Sequence, residues 1–224
     1  PVLDETQFYY IDLENSAYGA NKSQVGLGNN FSLRTNITLK PEYDGRVTAA
    51  QLVFDLPSNT AFVPGSAMTG QRVVQFTQQD NRITIPVAVS DLGQVTRFAV
   101  QTLSEGGAQT SAWLMLTIGG QQVKQPLGST FVQVNGVGFS VPEQVAQLTV
   151  PISGYAPALS RITVLANNIE IGHTMATADG FWNVDCQLPE KTPNLSNFLV
   201  KARMETASGA VAYTKARELS YDRD

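Results

Sequence analysis

Few side chains in this sequence are of the kinds that do chemistry, and their spacing narrows what that chemistry could be. The 224 residues include one histidine and one cysteine, so a Ser-His-Asp triad could rest only on His173. A Cys-based zinc site or an intrachain disulfide is excluded outright. His173 follows Gly172 in a strand-like run without a second His or Cys for a metal, and a surface or strand-packing role is expected of it. Cys186 alternates with Trp182, Val184 and Leu188, which reads as a small buried hydrophobe rather than a nucleophile. Hydrolysis of a glycoside needs two carboxyl groups across one cleft, and no spacing pairs any two of the 19 acidic residues. Calcium needs several oxygens together, yet Asp179-Gly180-Phe181 lacks the Asp-x-Asp-x-Asp run, so Asp179 reads as a turn former. Lys40 and Lys201 sit in strands but on the polar face, opposite Leu39 and Val200, where a Lys-Asn isopeptide crosslink is not expected. Gly26-Leu27-Gly28 and Gly136-Val137-Gly138 lack the strand-to-helix context of a phosphate loop and read as turns. No catalytic residue, metal ligand or cofactor is therefore nominated, and ligand-binding residues stay unassigned.

Aromatics are the remaining candidates. Phe8, Tyr9, Tyr10, Tyr18, Tyr43, Tyr155 and Phe181 could stack on sugar rings if three of them shared one sheet face. Trp113, alternating with Met115, and Trp182, beside the Asp179-Gly180 turn, read as core.

Composition sets the background. Charged residues make up 15% of the chain, against roughly 25% in typical domains. Ser, Thr, Asn and Gln take their place, at 65 residues. The formal charge of −4 leaves no basic field for nucleic acid. No run approaches the roughly 18 apolar residues of a membrane span. The chain begins at Pro1 without an initiator Met or a basic and apolar leader, and is expected to be part of something longer. Sequons at Asn21, Asn30, Asn36 and Asn194 hardly exceed the roughly two that chance supplies in so polar a chain.

The elements that must position these residues are strands. Period-two alternation recurs from end to end, and no 3.6-residue stripe of useful length is found. In Phe31 to Lys40 one face is Phe31, Leu33, Thr35, Ile37 and Leu39, and the other is polar. Further strands are expected over 47–56, 72–76, 82–89, 95–103, 111–118 and 121–134, the last two joined by the Gly119-Gly120 turn. Past the Gly- and Pro-containing stretch 135–142 come 145–152, 161–166, 169–177, 181–188, 197–206 and 210–220. Turns at Asn167-Asn168, Asp179-Gly180 and Ser208-Gly209 separate several of these. The expected fold class is all-β, two tandem β-sandwich domains over 1–136 and 137–224, the second immunoglobulin-like.

The second half resembles the immunoglobulin-like modules of bacterial surface proteins and adhesins. The residues that carry the likeness are Ser160 to Gly172, Ala176-Thr-Ala-Asp-Gly-Phe-Trp-Asn-Val184 and Phe198 to Met204, with Asn167-Asn168 where an Asn-Gly is usual. More loosely, Phe31 to Leu39 with Ala50 to Ser66 resembles the DUF-eleven-type cell-surface repeat and cohesin-like sandwiches. Pro41 to Gly45 replaces that family's Asn-x-Gly. These resemblances imply spacers, presenters or adhesive surfaces without shared catalytic residues. The expected function is a non-enzymatic module pair of a larger bacterial cell-surface or secreted protein, partnered by other modules of its own chain and by a protein or glycan ligand. The alternative is a carbohydrate-binding accessory pair of a secreted polysaccharide-degrading enzyme.

Overall fold

Alternating segments with glycine or asparagine at their ends fold into antiparallel ladders, because positive φ at the turn matches the twist of paired strands. The computed structural model describes residues 10–136 and 138–223. The strands are β1 (Ala17–Ala20), β2 (Gln24–Gly26), β3 (Asn30–Asn36), β4 (Val47–Asp55), β5 (Thr60–Phe62), β6 (Met68–Thr69) and β7 (Arg72–Val73). They continue as β8 (Thr77–Gln79), β9 (Arg82–Val87), β10 (Thr96–Thr102), β11 (Gly106–Ile118), β12 (Gln121–Asn135), β13 (Phe139–Ser140) and β14 (Gln144–Val145). The last are β15 (Thr149–Tyr155), β16 (Arg161–Ala166), β17 (Ile169–Met175), β18 (Phe181–Gln187), β19 (Ser196–Glu205), β20 (Val211–Tyr213) and β21 (Arg217–Tyr221). The fold is all-β, as the alternation implies, and consists of tandem sandwiches.

Two compact units emerge. Unit 1 comprises Pro1–Val25, Asn30–Gln101 and Gly107–Gln133; unit 2 comprises Gly26–Asn29, Thr102–Gly106 and Val134–Asp224. The sheets of unit 1 run β1-β3-β10-β6-β7, with β5 also on β10, and β2-β12-β11-β4-β9-β8. Their inner faces meet on an aromatic cluster. Phe98 packs edge-on against Phe54 at 4.8 Å between centroids and lies 5.4 Å from Phe62, which lies 4.5 Å from Phe76. Leu33, Leu52, Ile83, Ile85, Leu114 and Val132 complete the core, all fully buried. On β12, Phe131 is exposed and lays its ring over Gly107, where an added Cβ would lie 2.6 Å from it.

Unit 2 has sheets β13-β15-β18 and β14-β21-β19-β16-β17, with β20 on β19. Trp182, Val150, Ile152, Val164, Cys186, Val200, Ala202 and Leu219 fill the space between them. One lateral seam is closed: a Cβ on Gly172 of β17 would lie 2.9 Å from Cys186 Sγ and 3.3 Å from Cys186 Cα on β18. A second close approach supports Trp182. A Cβ on Gly154 would lie 2.7 Å from the indole and 2.8 Å from the Gly138 carbonyl oxygen, and neither neighbour can retreat within a packed sheet. Gly154→Val is therefore expected to destabilise unit 2 by about 1–3 kcal/mol through overpacking. Urea unfolding checks this, and an unchanged midpoint would contradict it.

Several sequence expectations shift. The strand from Phe31 stops at Asn36, where Ile37 turns its N–H to the Leu92 carbonyl; Leu39 makes only an isolated bridge with Ile11. The expected 72–76 strand ends at Val73, where β7 pairs with β6, and a separate strand beyond it, Thr77–Gln79, joins β9 in the other sheet. The 145–152 strand begins at Thr149 instead, because Gln144–Val145 pairs in parallel with β21. The 210–220 strand breaks at 214–216 into β20 and β21. Both asparagines of Asn167-Asn168 have positive φ, at 48° and 68°, and do the work of the more common Asn-Gly.

Candidate functional site

The other lateral seam of unit 2 is open, and it forms a broad concavity. The chain enters the three-stranded sheet as β13, leaves it after Ser140, and joins the other sheet as β14. Between these short pieces lies a groove of about 950 Å³, lined by Phe139, Val141, Tyr155, Phe181, Arg217 and Leu219, among others. Tyr155 and Phe181 are directly opposed on β15 and β18 and stack edge-on at 5.6 Å. They are 52% and 37% exposed, large apolar surface with no cover. Alternation sets the remaining wall: Leu219 and Tyr221 of β21 are buried, so Arg217 shares their inner side while Glu218 and Ser220 face out.

Backbone polarity distinguishes this groove from an ordinary dent. Ser220 and Asp222 donate their N–H groups to Glu143 and Val145 on the β14 side of β21. By the same two-residue period, the N–H and C=O of Glu218 point to that side, and they have no backbone partner among the described residues. Opposite, Tyr155 donates to the Gly138 carbonyl, so the backbone groups of Phe139 turn away from β15, toward the open edge.

The candidate residues from the sequence do not converge. Cys186 is fully buried, and desolvation, helped by the nearby Asp185 charge, pushes its thiol up to about 12. His173 is exposed on β17, with Nδ1 2.9 Å from Glu170 Oε1. Asp179 accepts the Thr177 hydroxyl, which holds its carboxyl below the usual range and locks the Gly180 turn. Lys201 carries its ammonium 5.3 Å from the centre of the Tyr213 ring, and Lys40 takes its backbone to the Tyr10 carbonyl. Gly28 has positive φ at a turn in which Asn29 donates to Gly26, while Gly136 packs under the Glu105 carboxylate.

Of the aromatics, Phe8 and Tyr9 lie outside the described residues. Tyr10 and Tyr43 meet edge-on at 5.1 Å, but Tyr43 is buried. Tyr18 turns inward and shares a 2.7 Å hydrogen bond with Thr110. No more than two of the described candidates thus share one surface. Trp182 is core, as expected. Trp113 is not: Ala112, Leu114 and Leu116 take the inner face of β11, and Trp113 lies half-buried on the outer one above Val53. Lys124 and Arg82 flank its ring at 4.3 and 4.9 Å, and Arg82 is held by a two-point bond to Asp55. The run Ala-Trp-Leu-Met-Leu is apolar on both faces, so the alternation of Trp113 with Met115 does not mark the inner one.

Burial pushes the Tyr18 phenol up to about 12, the Thr110 hydrogen bond offsetting part of the effect. A folded pKa above the unfolded value of about 10 makes the contribution fully present below pH 10 and lost as pH rises toward 12. Unit 1 is expected to lose about 2–3 kcal/mol across that window. Tyr18→Phe should flatten the loss in pH-dependent urea unfolding; an equal loss in the variant would assign it elsewhere.

No family model and no curated protein matches this sequence. Among solved structures, the chain is similar to the major pilin subunit BcpA of Bacillus cereus, with 9% identity over 92% of this chain and 65% of that one, at a TM-score of 0.44. A cohesin module from a family 33 glycoside hydrolase of Clostridium perfringens matches with 15% identity over 57% of this chain and 98% of its own, at 0.43. The collagen-binding subdomain ACE19 of the Enterococcus faecalis surface protein ACE matches with 10% identity, over 55% and 98%, at 0.37.

Proposed function

We propose that the chain is a non-enzymatic pair of β-sandwich modules, over 1–136 and 137–224, from a bacterial cell-surface or secreted protein. It spaces or presents binding surfaces, and the open groove of unit 2 is the surface that makes contact. The groove carries this reading, because it joins uncovered aromatic area to unpaired strand edges, which are features of recognition rather than of turnover.

The test has two arms. A panel of polysaccharide and glycoside substrates is expected to remain intact, and turnover of any one would overturn the non-enzymatic reading. Adhesion of fluorescent beads carrying the protein to host-matrix proteins and to a glycan array is compared with that of beads carrying the Tyr155→Ala/Phe181→Ala variant. Loss of adhesion in the variant supports the groove, and undiminished adhesion removes it. Binding confined to sugar spots would instead favour the carbohydrate-binding accessory role.

A further inference from the structure

Accepting the groove as the contact surface, we propose that it captures an extended peptide by strand addition to β21, with apolar guest side chains facing inward and one guest carboxylate meeting Arg217. Three observations converge on this occupant. The first is the interrupted ladder. β14 pairs with β21 only at Gln144–Val145 against Ser220–Tyr221, so β21 continues past its partner with the backbone groups of Glu218 still directed outward along the edge. A strand supplies donors and acceptors at the spacing such an edge requires, whereas a sugar does not.

The second is the floor. Phe139, Tyr155, Phe181 and Leu219 line the groove from both sheets. Every second residue of a guest strand on β21 would point inward, by the same alternation that buries Leu219 and Tyr221. There it would meet Phe139, which pairs with Gly154 and lies near Trp182, while Tyr155 and Phe181, on the other face of β15 and β18, flank the mouth. The third is charge. Arg217 is on the inner side and forms no ion pair among the described residues, and neither does the neighbouring Lys215 side chain. A guest carboxylate at that end would pair with the guanidinium. Glu143 lies at the opposite end, beside Ser220, and the Glu105 carboxylate already accepts the Lys215 N–H, so the Arg217 guanidinium is the group that favours an acidic guest residue.

The contrast between the two seams supports the same conclusion. At β17 and β18 the sheets close to backbone contact through Gly172, leaving no room for an added strand. At β13 and β21 the change of sheet by one chain segment leaves the outer edge of β13 and the Glu218 part of β21 uncovered.

The 224-residue protein is titrated with three capped synthetic peptides that alternate valine and serine: one in which a single aspartate replaces a valine, so that the carboxylate falls on the inward face (valine-aspartate), one with lysine at that position (valine-lysine), and valine-aspartate with proline at alternate positions. Backbone amide shifts and amide exchange are read by NMR. The valine-aspartate peptide is expected to shift groove amides and to slow exchange at Glu218, and the other two are not. Glu218→Pro removes the one edge N–H without touching the ladder to β19, so it should weaken binding about tenfold or more, the equivalent of one hydrogen bond. Arg217→Glu should shift preference toward the valine-lysine peptide, and Trp182 emission verifies that each variant is folded.

Groove binding that survives both Glu218→Pro and the proline-containing peptide overturns strand addition while leaving the groove as contact surface. Absence of groove shifts with every peptide also overturns it, and the bead-adhesion result then decides separately whether the groove itself stands. Concentration-dependent self-association abolished by Glu218→Pro would assign the edge to a second copy of this chain and overturn the foreign-peptide proposal.

Discussion

Trp182→Ala is expected to cost unit 2 about 3–5 kcal/mol, the range for truncating a large buried aromatic. The side chain is 2% exposed, and it lies against Gly154 and near Phe139, with 6.1 Å between ring centroids. It thus bridges the wall of the groove and the centre of the sandwich. An isolated domain of this size holds only about 5–15 kcal/mol in total, so the variant should unfold at far lower urea and bind no groove ligand. Trp182→Phe separates the causes. The indole N–H is buried without a hydrogen-bond partner in the structure, so replacing it removes an unsatisfied donor while keeping most of the apolar volume. The phenylalanine variant should retain most of the stability. Equal losses in both variants, measured by urea unfolding with far-UV circular dichroism, would show that the N–H matters in a way the geometry does not display.

Phe98→Ala should have a comparable effect on unit 1, again about 3–5 kcal/mol. Phe98 is 1% exposed and touches aromatic partners from both sheets, Phe54 on β4 and Phe62 on β5. Truncation leaves a void where the two sheets meet, and it forfeits edge-to-face contacts worth about 0.5–1.5 kcal/mol beyond burial. The control is Phe131, just as large but 56% exposed over Gly107, whose removal should cost far less. The two tryptophans of the sequence fall one in each unit, so Trp113 emission follows unit 1 with unit 2 as internal reference. A Phe98→Ala transition superimposable on that of the parent would refute the aromatic cluster as the keystone of unit 1.

The sequence discloses much of this architecture, for physical reasons that differ from place to place. Phe31, Leu33, Thr35 and Ile37 are buried while Arg34 and Thr38 are exposed, because a half-buried strand must alternate. The turns at Gly119-Gly120, Gly180 and Gly209 all have positive φ, as only such residues adopt it without strain. Strands of two to four residues, such as β1, β6 and β13, are too short to show a period, and long-range pairing alone defines them. Trp113 illustrates the other failure. Where both faces of a strand are apolar, alternation loses its meaning, and the inner face falls to the side whose neighbours, here Leu114 and Leu116, meet the opposite sheet. The groove was legible only in part. Tyr155 and Phe181 stood among the candidates, but their pairing depends on β15 and β18 being neighbours, and nothing local marks the switch of one segment from sheet to sheet. Arg217 and the edge of Glu218 have no signal in the sequence, because an unpaired backbone leaves no trace in side-chain pattern.

The closed seam offers a measurement of its own. Cys186 is the protein's one sulfhydryl, shut behind Gly172. Burial pushes its thiol up to about 12, so at pH 9 the folded molecule carries almost none of the reactive thiolate, whereas most chains carry it once that seam has parted. A thiol-trapping reagent would therefore mark molecules almost solely while the seam is open. The fraction left unmarked over time becomes a clock for how often this side of the module breathes, read from a single atom without introducing any label.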